Sequence, residues 1–497
     1  MKPFSLLATL ALPSTAWTFS IAERTDELVD CLKSSLSPEG GIISPDDPGF
    51  TNDTIRFSSF NEPTFRLVAQ VANEDDVRTS IKCAKKTGTT FLFTGPRHGA
   101  YSGFSKLDNA LEIFTSAFNG IQVNAEENIM TVGGAVVFKD AIDALHAVGK
   151  NIPVGSGPCV GIVGASIGGG IGRLEGLYGI IADSLLSVRI MLPNTTVVEA
   201  SAETNPELFW GIRGAGFNFG FILNATYQIY DAAAGGTNYN ADFEYPISAA
   251  RDFYQALKDA GPTMPAPLCI STYLSWSSTY NTTTLKANAV YAGPERDGRR
   301  ATRFLRRVGP VLRKNITDVP WNELSLTAFF DNGDETSETC GVNAGARASM
   351  GAAFNELTVD AHVSMTEQFN YLLTRYPQMR DSDNSMYFCA TQAVRALPND
   401  ATSYPWRQAI GHQTWGFAYT DGITDAEIEY LPQRIRATIA DSAGTDGLNT
   451  YVGFSRGDER LESLYSREHM PRLAALKKTY DPEGLFNAYH PLPTSYP

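Results

Sequence analysis

Residues 151–183 read NIPVGSGPCVGIVGASIGGGIGRLEGLYGIIAD: ten glycines around a single cysteine, Cys159, with almost no charge. Glycine loses more backbone freedom on folding than any other residue, so a run this dense implies backbone that must approach something closely or take positive φ. Consecutive bare N–H groups can surround a phosphate, and a large anionic cofactor therefore suits the segment. A tightly turned buried loop without a ligand is the plain alternative. A dinucleotide fingerprint fails, because 168–173, GGGIGR, lacks the final small residue and no apolar strand runs into it as a βαβ unit requires. The later stretch 213–220, RGAGFNFG, misses by one position as well.

Upstream, 65–71 (FRLVAQV) reads as a strand, and Asn73 followed by three acids opens a helix running to Thr87. A second strand, 91–94, ends in GPRHGAYSG at 95–103. Small-residue turns flanking an Arg and a His at a strand end make a ligand loop, although a histidine in a turn can equally be solvated. Further strands are expected at 111–114, 121–123 and 129–132, then a helix over 137–148. Downstream, 187–192 and 196–200 form a hairpin around Pro193-Asn194, and 205–210 starts a short helix that leads into a strand at 221–229.

In this order the pieces resemble the flavin-linked oxidases of the vanillyl-alcohol oxidase (PCMH-type) fold, in the berberine-bridge-enzyme-like group. They are the opening 63–84, GPRHG from Gly95, GSGPCVGIVGASIGGG from Gly155, Asp183, and NPELFWGIRGAGFNFG from Asn205. The resemblance implies flavin adenine dinucleotide (FAD) tethered twice, through His98 to the ring's C8-methyl group and through Cys159 to ring carbon C6. It further implies that Gly95, Pro96, Arg97, Gly99, Ala100 and Tyr101, with Val163, Gly164, Ser166, Gly168 and Gly169, wrap the cofactor, and that Asp183 belongs to the same set. Pro96-Arg97 departs from the Gly-Gly that often precedes the family histidine.

From 232 to 445 the texture changes. Alternating runs at 268–274, 284–291, 386–397 and 413–420, with helical spacing at 249–260, 299–308, 367–376 and 425–440, predict an antiparallel sheet with helices on one face. In the resembled family this region is the substrate domain. Residues 448–493 fit the return to the cofactor domain: Tyr451 falls where the family places a tyrosine near the ring, and 480–486, YDPEGLF, matches its closing motif. Tyr489-His490 stand where the family usually has Asn-Gln. The expected class is α+β, with an N-terminal segment at 17–60, a two-part FAD-binding domain at 61–232 and 446–497, and an antiparallel-sheet substrate domain at 233–445.

The chemistry implied is hydride transfer from a small organic substrate to flavin, a protein base taking the proton and molecular oxygen accepting the electrons. Tyr419, His412 and Tyr451 are the candidate bases; the first two flank the strand 412–419, where each can also simply satisfy polar needs at a sheet surface. The six histidines are scattered, with no HExxH or Cys-x-x-Cys, which gives no metal site, and no Gly-x-Ser-x-Gly elbow marks a hydrolase. An oxidase of a small alcohol or similar substrate in secondary-metabolite biosynthesis is the leading expectation; an oligosaccharide oxidase and a non-catalytic flavin-containing binding glycoprotein are the rivals.

The address follows from the ends and the charge. Lys2, an apolar core over 4–12 and Ser14-Thr15-Ala16 read as a signal peptide, 1–16, and losing Lys2 takes the net charge from −14 to −15. No later run approaches a membrane span of about 18 apolar residues. Five glycosylation sequons, at Asn52, Asn194, Asn224, Asn281 and Asn315, agree with secretion. The acidic balance disfavours nucleic acid and anionic membranes, and the arginines of 299–307 read as a solvated face. In an oxidising compartment Cys31 and Cys83 are the expected pair, leaving Cys269, Cys340 and Cys389 unassigned.

Overall fold

The computed structural model describes residues 21–331, 345–419 and 426–497; the expected signal peptide and Cys340 lie outside them. Those residues build four sheets. The first runs Gly41–Ile43, Phe65–Gln70, Ala110–Phe114, Phe91–Thr94, and its last three strands are parallel. Parallel neighbours need a crossover, and the helix Glu74–Thr87 supplies one. Asn73 caps it by accepting from the Asp75 and Asp76 N–H groups at 3.0 Å each, acids fill its first turn, and Gly88 ends it at φ 64°. The expected Cys31–Cys83 disulfide ties this helix to the helix Ile21–Lys33.

The second sheet is antiparallel, in the order Ile121–Asn124, Ile129–Gly133, Phe221–Gln228, Leu185–Met191, Val197–Ser201. It includes the hairpin expected around Pro193-Asn194. The glycine-rich segment packs beside this sheet in one hydrophobic core with Val132, Val188 and Ala225. A two-stranded pair, Lys150–Asn151 with Tyr230–Asp231, closes its end.

The fourth sheet has seven antiparallel strands, in the order Arg313–Pro320, Thr237–Pro246, Thr282–Tyr291, Leu268–Ser277, Asp383–Cys389, Gly411–Ala418, Arg347–Phe354. Successive strand residues face opposite sides. Along Thr237–Pro246, Tyr239, Ala241, Phe243 and Tyr245 enter the core shared with the helices Ala250–Ala260 and Val359–Arg375, and Asn240, Asp242 and Glu244 take the other face. Trp415 and Phe417 do the same from Gly411–Ala418, and each such fully buried side chain contributes about 1.5–3 kcal/mol. The sheet is thus apolar toward its helices and polar on the face turned away from them.

Several expectations are corrected in this region. The run 386–397 is a strand only to Cys389, which pairs edge to edge with Cys269 and is disulfide-bonded to it; the chain then turns into the helix Gln392–Ala396. The helix expected at 299–308 instead begins after Pro294, spans Glu295–Ala301 and gives way to a 3-10 turn at Leu305–Arg307. The strands Thr237–Pro246, Arg313–Pro320 and Arg347–Phe354 had no counterpart in the sequence reading. The helix Ala426–Ala440 agrees with the spacing at 425–440 apart from its first position, which lies outside the described residues.

Candidate active site

A cavity of about 500 Å³ lies where the parallel strands end, between the glycine-rich segment, the polar face of the seven-stranded sheet and the C-terminal stretch Leu485–Tyr489. One end is walled by Phe91, Phe93, Phe221 and Phe486, and the opposite end by Arg347, Ser349, Asp383, Thr414 and Gly416. Its size and apolar walls with a few polar groups are those of a site that engulfs a small organic ligand.

The loop after Phe91–Thr94 forms one wall through Gly95, Pro96, Arg97, His98, Gly99 and Ala100. Arg97 holds a left-handed φ of 58°, a conformation that costs energy in an arginine and clusters at functional sites. Its guanidinium ion-pairs with the fully buried Glu112 at 2.7 Å and lies 3.8 Å over the Phe114 ring. The neighbouring His98 stacks on Phe57 at 4.2 Å and lines the cavity; burial lowers its imidazole pKa to about 4, so the ring is neutral. Gly161 packs against this loop, where an added Cβ would sit 3.3 Å from Pro96. A Cβ added at Gly164 would meet no protein atom within 4 Å, because that residue faces the open cavity.

The cavity gathers nine of the expected site residues: the six from Gly95 to Ala100, then Val163, Gly164 and Tyr451. It does not gather the others. Tyr101 is buried among the rings of Phe104, Tyr489 and His490. Ser166 shares a hydrogen bond with the Tyr227 hydroxyl at 2.7 Å and donates to the Val163 carbonyl at 3.0 Å. Gly168 and Gly169 are glycine for packing, since a Cβ would stand 2.8 Å from Val452 and 2.6 Å from Tyr404. Asp183 accepts from both terminal nitrogens of Arg407, at 2.7 and 3.0 Å, in a buried ion pair; it braces the fold. Cys159, whose sulfur the resemblance would bond to the flavin ring, is buried and disulfide-bonded, and its neighbours Val160 and Gly161 line the cavity. One sulfur cannot serve a disulfide and a thioether at once.

The three candidate bases separate. Tyr451 lines the cavity and donates to the Ala165 carbonyl at 3.3 Å; burial pushes its phenol up, which keeps it protonated. His412 lies behind it on the cavity-facing side of its strand, 6.4 Å from Tyr451 ring to ring, with Nε2 3.3 Å from the Tyr404 hydroxyl and a neutral imidazole whose pKa burial lowers to about 4. Tyr419 is seven residues on, an odd spacing that puts it on the opposite side, where it stacks on Phe60 at 4.8 Å; burial pushes its phenol up to about 12.

The sequence reading missed Asp383 and Arg347. They form an ion pair at the sheet end of the cavity, and Arg347 also donates to the Asp381 carbonyl at 2.6 Å. Burial raises the Asp383 carboxyl and Arg347 opposes that rise. The available signal was the alternation D-N-S-M-Y-F-C at 383–389, in which Asn384, Met386 and Phe388 are buried on the helix side. Among the described residues no group of three or more metal-binding side chains occurs.

Known proteins bear on this cavity. Residues 65–201 match the family described as FAD binding domain. FAD-linked oxidoreductase tazL of Aspergillus terreus is 33% identical over 459 residues, covering 92% of both chains. FAD-linked oxidoreductase azaL of Aspergillus niger is 33% identical over 484 residues, covering 95% of this chain and all of that one. Among solved structures, wild-type BBE-like 1 of Physcomitrella patens superposes with a TM-score of 0.83 at 18% identity, and glucooligosaccharide oxidase from Acremonium strictum with 0.81 at 20%; each match covers 95% of this chain and 100% of the other. The cavity suits FAD on its own terms: a glycine wall with open space at Gly164, a neutral imidazole at the wall and unpartnered guanidinium N–H groups on Arg56 and Arg97, both of which line it.

Proposed function

The chain belongs to the FAD-linked oxidoreductases of the berberine-bridge-enzyme-like, vanillyl-alcohol-oxidase fold, and from that premise we propose that it is a secreted oxidase of small organic alcohols whose flavin is covalently held in this cavity. The observation that carries the proposal is a single cavity bounded on one side by the His98 loop and Gly164 and on the other by Asp383, Arg347 and Tyr451. When bound, FAD supplies hydride acceptance and reoxidation by molecular oxygen.

The chain's own groups supply the rest. Phe57, Phe454 and Tyr489 present apolar walls that exclude water and orient a substrate. Asp383, ionised beside Arg347, accepts the hydroxyl proton as general base, and the Tyr451 phenol holds a proton at the same cavity. His412 and Tyr404 stand behind Tyr451 and fix its surroundings.

Attachment through His98 is supported by its neutral imidazole at the cavity wall. Attachment through Cys159 requires thiol exchange to open its disulfide and return it as a thiolate. The glucooligosaccharide oxidase is described as carrying a 6-S-cysteinyl, 8α-N1-histidyl FAD, which supports the pairing of these residue types. Secretion is supported by the apolar leader and the sequons.

The test is anaerobic. Alcohols should bleach the flavin absorbance of the purified protein, and readmitted oxygen should restore it with one hydrogen peroxide per turnover. Bleaching by oligosaccharides alone would assign the rival substrate class, and a flavin that no substrate reduces would leave a binding protein.

A further inference from the structure

The wall that carries His98 also holds two arginines, and the carboxylates of Glu112 and Glu62 both attract Arg56. Arg56 is 4% exposed and lines the cavity; it donates to the Gly99 carbonyl at 3.4 Å, lies 4.8 Å over the Phe104 ring and keeps Nη1 without a partner. Arg97 lines the same wall with its side chain 10% exposed, spends Nε on Glu112 and keeps Nη2 without a partner. Glu112 is fully buried, accepts one bond from Arg97 and another from the Thr94 hydroxyl, and has its second oxygen free. Each guanidinium thus keeps a buried N–H group that no protein acceptor takes up, at a cavity wall.

A buried unpartnered donor on a charged group is costly, and a native fold keeps such donors where a ligand completes them. Arg97 lies within the loop Gly95 to Ala100, whose backbone already bends around the space and takes the left-handed region at Arg97, and Arg56 donates to the Gly99 carbonyl of that loop. A guanidinium fork matches phosphate oxygens, and in a low-dielectric wall that pairing is stronger than in water. A flavin ring alone is uncharged, whereas the dinucleotide has a dianionic pyrophosphate.

We propose that Arg56 and Arg97, the latter anchored by Glu112, form an anion site for the pyrophosphate of FAD, so that this chain selects the dinucleotide by side-chain charge as well as by loop backbone. The proposal rests on the cavity being the flavin site. It accounts for Pro96-Arg97 in place of a glycine pair: the strained arginine is where the charge is needed, and Glu112 holds it there.

The test uses the full chain with His98→Ala and Cys159→Ala, in which flavin binding is reversible. Added Arg56→Gln or Arg97→Gln should raise the Kd for FAD about tenfold or more, the worth of a hydrogen bond to a charged group, and leave riboflavin, which has no phosphate, within about twofold. Arg56→Lys should recover part of the loss, because it keeps the charge without the fork. Inorganic pyrophosphate should displace FAD from the parent and lose that ability in the Arg56→Gln/Arg97→Gln chain. Unchanged FAD affinity in both variants, or equal losses for FAD and riboflavin, would overturn the arginine assignment. A parent that binds neither ligand would overturn the flavin assignment of the cavity, and the arginine site with it.

Discussion

Arg347 and Asp383 meet across Gly416 at the sheet end of the cavity: a methyl group added at Gly416 would stand 2.9 Å from Asp383 Oδ2 and 3.1 Å from Arg347 Nη1. The strand Gly411–Ala418 must be bare at that point for the pair to reach the cavity. If Asp383 is the base, Asp383→Asn should lower kcat/KM about 10²–10⁴-fold with flavin content unchanged. Steady-state kinetics beside the ratio of flavin to protein absorbance checks this, and an unimpaired variant would move the role to Tyr451.

Two glycines of the same segment should fail differently. A Cβ at Gly172 would sit 2.1 Å from the Val154 carbonyl oxygen, so Gly172→Ala should destabilise the fold by more than about 1 kcal/mol. Gly164 faces only the cavity, so Gly164→Leu should leave the melting temperature of flavin-free protein nearly unchanged and exclude flavin. Thermal unfolding and flavin stoichiometry separate the two.

Stability should peak near pH 6.5. Burial holds His98, His362 and His412 down to about 4 and His490 to about 3. Below the ordinary histidine value of about 6.5, the unfolded chain therefore binds protons that the folded chain refuses, and stability is lost as pH falls toward 4. Glu175 acts with the opposite sign: burial raises it to about 8, so the folded chain keeps a proton that the unfolded chain releases, and stability is lost as pH rises from about 4.5 to 8. Below pH 6.5 the four histidines oppose Glu175 and Asp383, whose carboxyl burial also raises; above it Glu175 acts without the histidines. Melting temperatures from pH 4 to 9 should show both limbs, with Glu175→Gln flattening only the upper one.

If the protein is exported, the sequons should divide by exposure. Asn52, Asn194 and Asn281 are exposed, whereas Asn224 sits mid-strand between Phe221–Gln228's two neighbours, paired with Gly133 and Arg189. Glycopeptide mapping of secreted protein should find glycans at the first three and none at Asn224, and a mature N-terminus at Trp17.

The cofactor loops were legible because their chemistry is local. Gly95 to Ala100 follows a clear strand, and a run of ten glycines has few other uses. The packing of Gly168 on Val452 and Gly169 on Tyr404 and the ion pair of Asp183 with Arg407 were not legible, since they depend on residues more than 200 positions away. The disulfide of Cys159 was not legible because sequence carries no record of which sulfurs meet. The Asp383–Arg347 pair was not visible because strand register decides it: Asp383 reaches the cavity only because the strand Asp383–Cys389 pairs with Gly411–Ala418 so that Asp383 stands opposite Gly416. In Thr237–Pro246 the alternation of Tyr239, Ala241, Phe243 and Tyr245 with Asn240, Asp242 and Glu244 was visible in the sequence, and it marks a strand that spacing alone could identify.

Peptide mass mapping of the flavoprotein after denaturation and proteolysis tests the central claim most directly. The account requires flavin mass on the peptide that contains His98, lost in His98→Ala, with Cys159 as a second site only when its disulfide has been opened. Flavin that separates entirely from the wild-type polypeptide, or that maps to a peptide outside this cavity, would contradict it.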